Sequence, residues 1–196
     1  MKKVILVLIL IVLFSAESYS QSRYTKEEYR AIKSLTISAG VNTVGSFGTR
    51  NPFKYLGEFK FKQPFAVAIQ YRGLSDVLSL EQDFTLNKFE TNDEIDNVPV
   101  PQDFTYFSTN TYVKYYFSRD LFPETYWLDL FTGGGLGIFK IDDVNGSFNL
   151  VLGGIAWITP YIGVSIQGVG KFAFNHKDAG FDNNHFQYMF YTVFKL

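Results

Sequence analysis

Apolar and polar residues alternate along most of this chain. Phe59, Phe61, Phe65, Val67, Ile69 and Tyr71 occupy odd positions while Lys60, Lys62, Ala66, Ala68, Gln70 and Arg72 occupy even ones. A period of two places successive side chains on opposite faces of an extended strand. The final stretch behaves the same way. Phe186, Tyr188, Phe190, Thr192, Phe194 and Leu196 share one face, and His185, Gln187, Met189, Tyr191, Val193 and Lys195 share the other. Similar alternation predicts strands from Leu35 to Asn42, Leu78 to Asn87, Phe107 to Phe117, Leu128 to Ile138, a strand marked by Leu150, Leu152 and Ile158, and one from Ile162 to Phe172. With the two already named, eight strands are expected.

Turn-forming residues separate them. Gly45 to Pro52 predicts a long loop, Gly73-Leu74-Ser75-Asp76 a tight turn, and the acidic run from Thr91 to Asp103, with Pro99 and Pro101, a second long loop. Ser118 to Thr125, Asp142 to Gly146, Thr159-Pro160 and Asn175 to Asn184 supply the remaining connections. The charged stretch from Gln21 to Lys33 lacks alternation and reads as a short extension able to form one helical turn.

The first residues differ in kind. Lys2 and Lys3 precede an apolar run from Val4 to Phe14, followed by the small residues of Ser18-Tyr19-Ser20. This is the layout of a secretory signal peptide, and the run falls well short of the roughly 20 residues a helix needs to span a bilayer. The expected organisation is therefore a signal peptide over 1–20, a short N-terminal extension over 21–33 and one β domain over 34–196. The absence of cysteine excludes a disulfide framework and a lipid-modified cysteine at the cleavage point. Charged residues are sparse at 19%, aromatics are abundant at 18%, and the net charge of −1 argues against nucleic acid, whose phosphates need a concentrated basic surface. No stretch after the signal approaches a membrane helix, so any membrane-spanning part must be β.

An aromatic closing strand of this kind resembles the C-terminal strand of outer-membrane β-barrels, which their assembly machinery reads as a signal. The strand count, that closing strand, the Trp157-Ile158-Thr159-Pro160 turn and the Gln167 to Phe172 strand together resemble the small eight-stranded OmpA- and OmpX-like barrels. The resemblance implies an all-β, eight-stranded antiparallel up-and-down transmembrane barrel in the outer membrane of a Gram-negative-type envelope. Both termini, and with them the 21–33 extension, would be periplasmic, with the loops near Gly48, Asn97, Asn145 and Asp178 outward. It also implies that Tyr188, Phe190, Phe194 and Leu196 form the assembly signal. The implied partners are outer-membrane lipid and lipopolysaccharide, the barrel assembly machinery and, as a further option, a larger outer-membrane complex.

In such a barrel the apolar alternate faces lipid and the polar alternate fills the lumen. Lys60, Lys62, Gln70, Arg72, Glu81, Asp83, Lys114, Asp129, Gln167 and Lys171 are then expected inside as a paired, salt-bridged plug. Taking Glu90 opposite Thr105 sets Glu81 opposite Lys114. The Gly133 to Gly137 run lacks the following helix of a nucleotide loop and is expected to leave lumenal room for Tyr112, Tyr116 or Phe131.

Catalytic and metal-binding patterns are weak. His176 and His185 flank a loop with Asp178, Asp182, Asn183 and Asn184 and are expected to be solvated. The serine nucleophile of lipid-cleaving barrel enzymes is missing there, and Ser165 lies one strand away. Glu90, Asp93, Glu94 and Asp96 do not have calcium-loop spacing. Asn145-Gly146-Ser147 reads as a hairpin turn rather than a glycosylation acceptor. No catalytic residue, metal or cofactor is expected. The first reading is a structural, adhesive or accessory envelope component. The alternatives are a transporter of a small apolar ligand, its lumen lined by Phe131, Met189, Tyr191 and Val193, a lipid-modifying barrel enzyme, and a soluble lipocalin-type barrel. The last requires apolar residues inside and charges outside.

Overall fold

Alternation runs through eight long strands of the computed structural model, which describes residues 25–29, 34–48, 51–54, 57, 59–95, 98–175 and 182–196. A single helical turn, α1 (Lys26–Tyr29), precedes β1 (Ser34–Gly45), β2 (Phe65–Ser75) and β3 (Leu78–Phe89). Two short strands, β4 (Glu94–Ile95) and β5 (Val98–Pro99), form a small hairpin before β6 (Phe104–Tyr116). After α2 (Ser118–Leu121) come β7 (Leu128–Lys140), β8 (Val144–Trp157), β9 (Ile162–Ala173) and β10 (His185–Lys195).

The eight long strands close in the order β1-β10-β9-β8-β7-β6-β3-β2, every neighbour antiparallel. β1 and β10 form the seam, from Thr36 against Lys195 to Gly45 against Phe186. Closure leaves none of these strands with an unpaired edge. The outward rows are apolar and exposed. They include Ile37, Ile69, Val113, Leu136, Leu150, Leu152, Ile166 and Phe190, whereas the inward rows are buried. That sidedness is opposite to a soluble barrel and suits a hydrocarbon surround.

The connections differ by end. Residues 76–77, 117–127 and 158–161 lie at the end that also holds Ser34 and Lys195, here the termini end. The described residues of the 46–64, 90–103, 141–143 and 174–184 connections lie at the other, the loop end.

Three local expectations change. The second strand begins at Phe65 and not Phe59, because Pro64 has no N–H to continue a ladder and Lys60 makes only an isolated bridge to Val44. The tight turn is Asp76-Val77, with the Ser75 hydroxyl accepting from the backbone N–H of Val77 and Leu78. Asn145 and Gly146 lie within β8, opposite Phe139 and Ile138. Asn145 clamps Asn175 of the neighbouring loop through its side chain, and the turn itself is 141–143.

Gly135 shows why β7 is rich in glycine. A Cβ there would collide with the backbone carbonyl of Thr111, so only glycine permits this approach of β6 and β7. At Gly137 the missing side chain makes room for the Asn110 and Asn149 amides. Phe131 gains its space from Gly153, on β8.

Candidate functional site

The lumen is filled in three strata. At the loop end, Val44, Phe47, Phe89, Ile95, Val100, Phe104, Tyr106, Phe139 and Ile141 form a buried apolar cluster. Ile95 and Val100 come from the loop that the sequence pattern left as polar and solvated. The β4–β5 hairpin folds them inward, the backbone N–H of Asn92 donating to the Val100 carbonyl and that of Val100 to the Asp93 carbonyl. Two apolar residues in an acidic run were the available signal.

His185 belongs to this cluster, a correction to its expected solvent exposure. It is 2% exposed, stacks on Phe47 at 5.0 Å and meets the Phe139 ring edge-on at 4.8 Å. Its Nδ1 lies 2.7 Å from the Asn183 carbonyl, which can only accept, so Nδ1 carries the proton and Nε2 accepts from the Tyr106 hydroxyl at 2.9 Å. Ser165 is set against Tyr191 and His185 against Lys171. The two are separated along β9 by about 20 Å at the rise of a strand. No Ser–His pair forms between them. His176 and Asp178 lie outside the described residues.

A polar stratum follows. Asn110 donates to Asp83 Oδ1 at 2.6 Å and accepts from Lys171 Nζ at 2.6 Å, so one amide links the carboxylate to the ammonium. Lys171 also donates to Ser108 at 2.5 Å, and Asn149 donates to Asn110 at 2.8 Å. Beside them Asn42 donates to the carbonyls of Phe65 and Leu86 at 2.7 Å, and Gln187 donates to Thr85 at 2.8 Å. Next along the barrel, Lys114 Nζ lies 2.6 Å from Glu81 Oε2 and 2.7 Å from Gln167 Oε1, and 4.2 Å above the Phe131 ring. Gln167 returns a longer bond to Glu81 at 3.4 Å.

The third stratum, toward the termini end, is aromatic and aliphatic: Tyr112, Tyr116, Phe131, Val151, Ile155, Trp157, Val169, Met189, Tyr191 and Val193. At its rim Asp129 Oδ2 accepts from both terminal nitrogens of Arg72 at 3.1 Å and from the Trp157 indole at 3.0 Å. The Arg72 guanidinium lies 3.6 Å from the Tyr116 ring centroid, and Tyr116 donates to Gln70 at 2.8 Å. Tyr29 of α1 completes this end. It is 2% exposed, rests on Tyr126 at 5.2 Å, and accepts at its carbonyl from Lys195 at 3.0 Å. A capping box holds the turn, Thr25 and Glu28 each bonding the other's backbone N–H.

Eight of the ten residues expected inside are therefore buried in the lumen: Gln70, Arg72, Glu81, Asp83, Lys114, Asp129, Gln167 and Lys171. Lys60 and Lys62 are not. They belong to the 46–64 loop, Lys60 pairing with Asp93 at 3.0 Å and the exposed Lys62 with Glu90 at 2.7 Å. Glu90 and Asp93 are accordingly engaged with lysines. Among the described residues, no group of three His, Asp or Glu side chains is placed to hold a metal. Phe131, Met189, Tyr191 and Val193, the lining expected of an apolar channel, are packed against one another in the third stratum.

The closing strand turns Phe190, Phe194 and Leu196 outward, exposed, and half-buries Tyr188 beneath the Pro52 carbonyl, to which it donates at 3.0 Å.

No family model and no curated protein matches this sequence. Solved structures do. The N-terminal β-barrel domain of Pseudomonas aeruginosa OprF is similar with a TM-score of 0.53 at 13% identity, over 83% of this chain and 97% of that one. The Yersinia pestis outer membrane protein Ail, determined in a phospholipid bilayer nanodisc, is similar with a TM-score of 0.50 at 12% identity, over 84% and 99%. Neisserial surface protein A is similar with a TM-score of 0.50 at 12% identity, over 83% and 96%. A closed eight-stranded antiparallel wall, apolar outside and plugged by paired charges within, has the fold of the small outer-membrane β-barrels, and this chain shares it.

Proposed function

We propose that this protein is an integral outer-membrane barrel with a closed lumen and no catalytic activity, serving the envelope as a structural, adhesive or accessory component. The observation that carries the reading is the stratified lumen: a polar, ion-paired layer sealed between two apolar clusters, inside a wall whose outer face is apolar. A sealed interior leaves the outer wall and the loops as the working surfaces. In this reading the termini are periplasmic, the described residues of the loop end face outward among lipid and lipopolysaccharide, and Tyr188, Phe190, Phe194 and Leu196 are read by the assembly machinery.

Reconstitution in planar bilayers tests it. Protein showing heat-modifiable electrophoretic mobility, the mark of a folded barrel, should give no conductance steps above bare lipid. Discrete steps, or uptake of a small apolar solute into vesicles, would replace the closed barrel with the transport alternative. Recovery of the protein from the soluble periplasmic fraction would overturn the membrane assignment itself.

A further inference from the structure

The outward face between the two rims is apolar apart from a few threonines, such as Thr132 and Thr192, and one amide. Gln82 on β3 is exposed and has Leu78 and Leu80 to one side along its strand and Phe84 and Leu86 to the other. It is the only amide or charged side chain in the middle of the outward rows of the described strands; the lysines on this face, Lys88 and Lys140, lie at the loop end. Gln82 sits opposite Thr111 on β6 and donates to Thr109 at 2.7 Å, while Thr111 donates to the Gln82 carbonyl oxygen at 2.5 Å. Thr109 in turn donates to the Asp83 backbone carbonyl at 2.8 Å. Three polar side chains thus form one cluster where acyl chains offer no hydrogen-bond partner.

We infer that this cluster is the centre of a lateral contact with a second copy of the same chain, an inference that rests on the membrane reading above. Two arguments select a copy. First, the two proteins would insert in the same direction, so they are related by a two-fold axis along the membrane normal, and such an axis keeps each residue at its own depth. The cluster therefore meets the copy's cluster without any further adjustment, whereas an unrelated partner would need a polar group placed at that one height. Second, an amide and two hydroxyls each contain donor and acceptor, so the cluster is complementary to itself. Rotation of the side chains converts bonds within the patch into bonds across the interface. The apolar neighbours Leu80, Phe84 and Val113 supply the surrounding contact, and covering the cluster removes it from hydrocarbon.

The test uses the absence of native cysteine. Full-length Gln82→Cys and, as control, Ile166→Cys on β9 across the barrel are reconstituted in phosphatidylcholine vesicles at low protein density and oxidised. Insertion is measured in the same vesicles by protease resistance of the barrel. Gln82→Cys should give a disulfide-linked dimer of twice the mass and Ile166→Cys should give little. In an unoxidised series, Gln82→Leu should weaken dimerisation about tenfold relative to wild type, read by energy transfer between labelled copies, as expected for loss of a symmetric pair of intramembrane hydrogen bonds. Inserted protein that stays monomeric, or equal cross-linking at both sites, overturns the self-association alone. So does cross-linking of Gln82→Cys, in intact envelopes, to a species of a different mass. Failure to insert overturns the membrane reading and this inference together.

Discussion

Lys114 reaches Glu81 at 2.6 Å although the residue directly across the ladder from it is Ser79 and the one across from Glu81 is Tyr112. The pair is diagonal, two residues off the opposed position, and within reach because a lysine side chain spans that distance. Both groups are almost completely buried. Removing one partner leaves a charge stranded in the lumen at a cost of about 3–5 kcal/mol, whereas replacing both with apolar groups of similar size is close to neutral. Glu81→Gln and Lys114→Met should therefore be strongly non-additive in urea unfolding from lipid vesicles, and simple addition of the two losses would show that the pair is not coupled.

Asp103, at the loop end, should titrate far below an ordinary aspartate. The Lys88 ammonium at 2.7 Å, with the backbone N–H and hydroxyl of Thr91 at 2.9 and 3.0 Å, holds its pKa down from 3.8 to about 2. A carboxyl depressed in the folded state stabilises above its unfolded pKa, and that contribution disappears as pH falls through the folded value. The loop should thus keep its local order at pH 4 and lose it near pH 2. A carbon-13 NMR titration of the Asp103 carboxyl checks this, and Lys88→Met should move the midpoint up toward 3.8.

His185→Ala should leave the lipid A acyl pattern unchanged and lower stability. The substitution removes a buried ring and leaves the Tyr106 hydroxyl without its acceptor, a loss of about 1–3 kcal/mol for the stranded polar group alone. Urea midpoint and lipid mass spectrometry are measured together. An altered acyl pattern at unchanged stability would assign the histidine to chemistry.

Gly134→Ala and Gly135→Ala, adjacent in β7, should behave oppositely. A Cβ at Gly134 points outward and meets nothing closer than 3.7 Å, while one at Gly135 would occupy the Thr111 carbonyl. The fraction of protein reaching the heat-modifiable folded form should match wild type for the first and fall sharply for the second.

Parity explains what could be read in advance. Alternation assigns a residue to a face, so eight of the ten side chains expected in the lumen were legible; His185 shares a row with Gln187 and Met189, but its place at the end of a polar loop outweighed that parity and it was expected in solvent. Depth along the barrel is another matter. The expected register set Glu81 opposite Lys114; the observed ladder sets Lys88, not Glu90, opposite Thr105. The slip is two residues, which alternation cannot detect because it preserves every face, and the β4–β5 hairpin that takes up the intervening chain carries no period of its own. Lys60 and Lys62 failed for a different reason. Their alternation continues that of β2, but Pro64 interrupts the ladder between these lysines and the strand, and a pattern of hydrophobicity does not register a missing N–H. The closing of the two ends, by Ile95 and Val100 at the loop end and by Tyr29 at the termini end, was at most faintly marked in the sequence, because loop and helical-turn residues are placed by tertiary contact.

The β1–β10 seam joins Ile37 to Phe194, residues nearly as far apart as the described chain allows. Until those two strands meet, each exposes a row of unpaired N–H and C=O groups that hydrocarbon cannot satisfy. A half-made wall is thus tolerable in water or against another protein's edge, but not in lipid. Crossing the bilayer and completing the ring must then be one concerted event, slow because its decisive contact is the most distant one in sequence, and a catalyst of insertion would do its work by lending a temporary edge to the two strands that wait for each other.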